Sequence, residues 1–156
     1  MKLDVRGTTE EIARVVLKDL GTYGSFIFYL VAAVIFYIAG AYTISLTLIL
    51  SLAAVTIVVA AIRLVYFKPR PDMKIKKYNI LYERIDNSSF PSIHVARGVM
   101  LSIAFFKAAP IMSPLLAILV VAVCASRIYF KRHYIVDITA GALIGLILGW
   151  VFFIAL

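Results

Sequence analysis

Residues 25–67 carry a single charged side chain, Arg63. A helix crosses the apolar core of a bilayer with about 20 residues, so this stretch is too long for one crossing. It is also too apolar to be exposed to water. Backbone polar groups inside lipid must be satisfied within the spanning element, which favours helices. Gly40-Ala41-Tyr42-Thr43 is the natural turn. It divides the stretch into a first span near 25–39 and a second near 44–67.

The rest of the chain agrees with that environment. Of 156 residues, 63% are hydrophobic, against roughly half in a soluble domain. The length is that of one domain, 1–156. Sixteen basic and eight acidic side chains give a net charge of +8. Because the excess lies beside apolar spans, it points to anionic lipid and a phosphorylated substrate, not to nucleic acid. The lone cysteine, Cys124, lies mid-span and reads as a packing residue. The charged N-terminus lacks the apolar core and small-residue site of a cleaved signal peptide, and no cleavage is expected.

Residues 8–20 read as an amphipathic helix capped by Thr8 or Thr9, with Glu10 and Glu11 in its first turn. Ile12, Val15, Val16 and Leu20 share one side, and Arg14 and Lys18 form a basic pair. The segment is too short and too charged to span and is placed in the membrane interface. Gly21 and Gly24 end the pattern. Residues 68–91 form the longest polar segment, a surface loop with Pro69, Pro71 and the basic run Lys74, Lys76 and Lys77. Three more spans are expected at 92–108, 114–130 and 134–156. The last holds Gly141, Gly145 and Gly149 at four-residue spacing, a flat stripe that lets a neighbouring helix approach. The expected fold is an all-α integral membrane bundle: about five transmembrane helices plus the interfacial helix.

Threading these spans alternately through the bilayer brings Arg63, Arg70, His94, Arg97, Arg127, His133 and Asp137 to one face. Such groups are costly in a membrane unless they serve a polar site. His133 and Asp137 are one helical turn apart, so the carboxylate can accept the ring N–H and support a nucleophilic or general-base imidazole. Arg127 offers a fork of donors suited to phosphate oxygens. Pro91 and Ser92 open the third span, where unbonded N–H groups and the Ser92 hydroxyl make an anion site beside His94. Lys131, Arg132, Tyr129 and Tyr134 read as interfacial anchors, and Arg97 as an anchor or as a residue supporting the site from behind.

Three patterns stand in this order: Arg63, six residues, Arg70-Pro71; then Pro91-Ser92-Ile93-His94; then Ser126-Arg127, five residues, His133, three residues, Asp137. Together they resemble the signature motifs of the type-2 phosphatidic acid phosphatase superfamily, the membrane lipid-phosphate phosphatases. Two positions depart from the usual pattern. Arg63 stands where the family has lysine, keeping the charge but replacing a point donor with a planar fork. Ile93 stands where glycine usually precedes the histidine, removing the freedom of a bare backbone.

The resemblance implies that His133 attacks phosphorus and becomes a phosphohistidine, that Asp137 orients it, and that His94 protonates the leaving oxygen. Arg63, Arg70, Ser92, the backbone at Ile93 and Arg127 would hold the phosphate. No metal or other cofactor is implied. The expected substrate is a lipid phosphate or a polyprenyl phosphate or diphosphate whose tail stays in the membrane. The competing reading is a non-catalytic membrane module that binds anionic lipid. The Lys and Arg bias puts the site on the cytoplasmic face of a multi-pass cell-membrane protein, whereas the resembled family more often faces outward.

Overall fold

The computed structural model describes residues 5–71 and 81–155. Among these, the regular structure is helical apart from one isolated bridge, between Pro69 and Ser88. Helix α1 spans Val5–Leu20, and a 3-10 turn follows at Gly21–Gly24. Helix α2 spans Phe26–Ile38, and Ser25 caps it: its hydroxyl accepts from the Phe28 N–H at 3.1 Å. That accepted bond satisfies one of the donors a helix start leaves open. The axis bends by 59° between the first segment and α2. Gly40 then turns the chain with a φ of 80°, a conformation that costs glycine little.

Helix α3 spans Tyr42–Val65 and packs against α2. Polar clips hold the pair. The Ser45 hydroxyl donates to the Ala33 carbonyl at 2.8 Å, and the hydroxyls of Tyr29 and Ser51 lie 2.8 Å apart, both residues fully buried. Such bonds give direction to an apolar contact. A short helix, α4, covers Leu81–Asn87. It falls within the polar loop expected over 68–91. The basic run at 74–77 lies outside the described residues.

Helix α5 spans Ile93–Ala108, α6 spans Ser113–Tyr129 and α7 spans Ile135–Trp150, continuing as a π-helical turn to Ala155. Val95 to Leu101 of α5 are buried without interruption. A helix enclosed on every side belongs at the centre of a bundle, and α5 packs against α7, α6, α3 and the 3-10 turn. The glycine stripe brings α7 into close contact with α5. A Cβ at Gly141 would overlap the Ser92 carbonyl, one at Gly145 would come within 2.6 Å of the Ala96 carbonyl, and one at Gly149 would overlap Ile103.

By length and composition, α3, residues 110–129 and residues 135–155 qualify to cross a membrane. A fourth crossing is reached if the bent segment 10–38 counts as one span. The five-span expectation rested on hydropathy and on the positions of turns and prolines. Helix α5 has 16 residues, about 24 Å at 1.5 Å per residue, and its Val95–Leu101 stretch is buried among its neighbours. Outward, the bundle shows Ile57, Ile118, Val121, Leu143 and Ile147, each more than half exposed. An apolar belt of this kind suits lipid and not water.

Candidate active site

The C-terminal end of α3, the start of α5, the end of α6 and the α6–α7 connection meet around a cavity of about 410 Å³. Its lining includes Arg63, Arg70, Arg97, Arg127, Arg132, His94 and His133. Ile93 contributes apolar wall, and Asp86 adds a carboxylate. Local chain geometry sets each position. Helix α6 ends at Tyr129, and Lys131 takes a φ of 52°. The Arg132 N–H then returns to the Arg127 carbonyl at 3.0 Å and the Lys131 N–H to the Ile128 carbonyl at 2.9 Å. This is a Schellman closure, which turns the chain sharply off a helix. It throws His133 back over the cavity that Arg127 lines.

His133 is buried, and its Nδ1 lies 2.7 Å from the Ser89 carbonyl oxygen. A carbonyl only accepts, so Nδ1 carries the proton and Nε2 keeps its lone pair. The sequence assigned this orienting contact to Asp137. Asp137 does sit one turn below, but its Oδ2 is 3.9 Å from Nδ1, beyond hydrogen-bond reach. Its two oxygens are spent elsewhere. Oδ2 accepts from the Tyr134 N–H at 2.9 Å, closing the start of α7, and Oδ1 accepts from Lys68 Nζ at 2.7 Å. Lys68 also lies 4.3 Å from the centre of the Tyr134 ring. Burial, above all, pushes the His133 imidazole down to about 4. The Ser89 bond opposes that shift, Arg70 and Arg63 reinforce it, and Asp137 opposes it weakly.

The other candidate residues divide by what they touch. Arg63 is buried at the cavity wall and donates from Nη1 to the Ile85 carbonyl and from Nη2 to the Pro91 carbonyl, each at 2.9 Å. It therefore ties α4 and the start of α5 to α3 as well as bordering the cavity. Arg70 Nη2 donates to the Asp86 carbonyl at 2.6 Å. Arg127 Nη2 donates to the Gly21 carbonyl at 2.6 Å. The buried Nε–H groups of Arg63 and Arg127 have no partner among the described residues. Ser92 stands apart from the expected role. It is fully buried beneath Gly141 and does not border the cavity, its N–H donates to the Asp137 carbonyl at 2.9 Å, and its hydroxyl has no partner among the described residues.

Sequence reasoning missed several participants. Lys68 falls between the two arginines of the first motif, and its contact with Asp137 joins chain positions too distant for any local pattern to reveal. The Ser89 carbonyl is placed by a latch. The Ser89 N–H donates to the Lys68 carbonyl at 2.7 Å, next to the Pro69–Ser88 bridge. Arg97, which the sequence gathers at this face but outside the motifs, borders the cavity while its Nη2 donates to Thr56 at 3.0 Å. Gly21 and Gly24 do more than end a helix: side chains there would overlap Ser126 and the His94 carbonyl. Their pairing before an apolar run was the visible signal.

These observations define a class: a bundle with a lipid-facing apolar belt whose polar end encloses two imidazoles and a ring of guanidinium groups, an arrangement able to grip a tetrahedral anion. The family model of the PAP2 superfamily matches residues 44–156, and the chain belongs to that superfamily. It is similar to the undecaprenyl-diphosphatase BcrC of Bacillus subtilis (strain 168), 36% identical over 93 residues, which is 59% of this chain and 47% of that protein. The match thus spans about half the length of the relative. No solved structure matches the chain.

Proposed function

We propose that this protein is a metal-independent membrane phosphatase that removes phosphate from a lipid phosphate or a polyprenyl diphosphate. The observation that carries this reading is the shared cavity, in which His133, with its tautomer set by Ser89, faces His94 and five arginines. The name of the Bacillus relative supports the polyprenyl diphosphate class. Nε2 of His133 attacks phosphorus, and the bond to the leaving oxygen breaks as His94 donates a proton to it. The phosphoryl group is left on His133. Water then attacks phosphorus with His94 taking its proton, the phosphorus–nitrogen bond breaks, and phosphate departs. Arg63, Arg70 and Arg127 offset the charge on the phosphoryl oxygens throughout. Asp137 acts by charge, stabilising the imidazolium from one turn away. Ser92 and the backbone at Ile93 shape the start of α5. The lysine and arginine bias supports a cytoplasmic orientation for this end.

The test is phosphate release from lipid substrates in detergent with EDTA present. The wild-type protein should turn over under these conditions, and His133→Ala should lower the rate by at least ~10³-fold, the scale of losing a nucleophile. Turnover retained by His133→Ala would overturn the assignment. Tight binding of lipid phosphate by the wild type without release would instead establish an anionic-lipid-binding module.

A further inference from the structure

A second cavity of about 420 Å³ lies between α1 and the end of α6. Arg14 and Lys18 line it from α1, and Ser126, Arg127, Phe130 and Arg132 line it from α6 and the turn after it. Four of the six are cationic and none is acidic. Arg127 and Arg132 also border the catalytic cavity, so the two chambers share a wall made of guanidinium groups. Arg14 and Lys18 are one turn apart on α1. Like charges at that spacing repel and destabilise a helix by a few tenths of a kcal/mol unless an anion lies between them. The Gly21 carbonyl holds Arg127 in the dividing position, and the close fit of Gly21 against Ser126 holds the 3-10 turn to α6.

We propose that this chamber is a second phosphoryl subsite, so that the substrate occupying both chambers is a lipid diphosphate. This rests on the phosphatase reading above. The terminal phosphoryl group lies in the catalytic cavity, and the inner one, which bears the lipid ester, lies between Arg14, Lys18 and the shared arginines. When His133 Nε2 bonds to the terminal phosphorus, the bond from that phosphorus to the bridging oxygen breaks. The electron pair stays on the bridging oxygen, which becomes an oxygen of the departing lipid monophosphate. Its added charge develops at the shared wall, where Arg127 and Arg132 face it from one side and the α1 cations from the other. A lipid monophosphate fills only the first chamber and draws nothing from α1. Preference for diphosphate over monophosphate is therefore set by the N-terminal helix, outside the three sequence motifs.

The experiment compares the diphosphate and monophosphate of one polyprenol as substrates of the full chain in detergent. In Arg14→Gln/Lys18→Gln the ratio of kcat/KM for diphosphate to that for monophosphate should fall at least tenfold, and Arg14→Lys/Lys18→Arg should restore it. An unchanged ratio, or an equal loss on both substrates, would overturn the proposal. A binding arm uses inorganic pyrophosphate and orthophosphate, read by the shift in thermal midpoint. The wild type should favour pyrophosphate, and the glutamine variant should lose that preference. If the wild type hydrolyses neither lipid, the phosphatase reading fails, and the binding arm still decides the subsite. If the chamber holds a separate headgroup, orthophosphate binds as well as pyrophosphate, and phosphatidylglycerol in the micelles competes at Arg14 and Lys18. That result would also count against the proposal.

Discussion

The Ser89 carbonyl sets the proton on Nδ1 of His133, and burial keeps the ring neutral. In the unfolded chain the same imidazole titrates near 6.5. With a folded value of about 4, the native state binds fewer protons than the unfolded state between those limits. Its contribution to stability is full above the unfolded value and is lost as pH falls towards the folded one. Under the proposed mechanism, the acid limb of kcat/KM should therefore appear near pH 4 and not near 6.5. An acid limb at the ordinary histidine value would contradict the buried, carbonyl-bonded ring. Lys68 offers a second check at this scale. Asp137 is fully buried, and Lys68 is one-quarter exposed. Lys68→Met leaves the Oδ1 of a buried carboxylate without its cation. Breaking a buried pair costs about 3–5 kcal/mol, reduced here by the partial exposure of Lys68 to roughly 2–3. The thermal midpoint in detergent should fall accordingly, and an unchanged midpoint would show the pair to be inert.

Among the elements, α5 and α7 do most to shape the site. The Ser92 N–H bond to the Asp137 carbonyl joins their starting turns, and Gly141 lies against the Ser92 carbonyl. Gly141→Ala should push the starts of both helices apart. Overpacking of this kind costs about 1–3 kcal/mol, and the displaced His94 and His133 should lower kcat more than they raise KM. Retained activity and stability would show the contact to be loose. This stripe was legible in the sequence because its four-residue spacing matches the helical repeat. The arginines and histidines were legible for a related reason: polar groups beside apolar spans stand out. The contacts of Lys68, Ser89 and Arg97 were not. Each joins segments far apart in the chain, and a backbone carbonyl leaves no mark in residue identity. A serine at a helix start reads as a donor to anions, and the burial of Ser92 beneath Gly141 could not be read from its position in the chain.

At the scale of the whole molecule, apolar side chains cover the outside as well as filling the core. The buried charged side chains Arg63, Arg97, His133 and Asp137 lie around the site, and large aliphatic side chains face outward along α3, α6 and α7. Nitroxide labels at Ile57, Ile118, Val121 and Ile147 should meet lipid-soluble oxygen more readily than a water-soluble nickel chelate after reconstitution into vesicles. The opposite order would remove the membrane from the account. The latch between Lys68–Pro69 and Ser88–Ser89 belongs to this scale as well. One side of it carries the cation that neutralises Asp137, and the other carries the oxygen that steers the His133 ring. A pull that parts the two sides of this clasp would unseat both at once, so the ring orientation that the proposed mechanism needs depends on this short bridge staying closed.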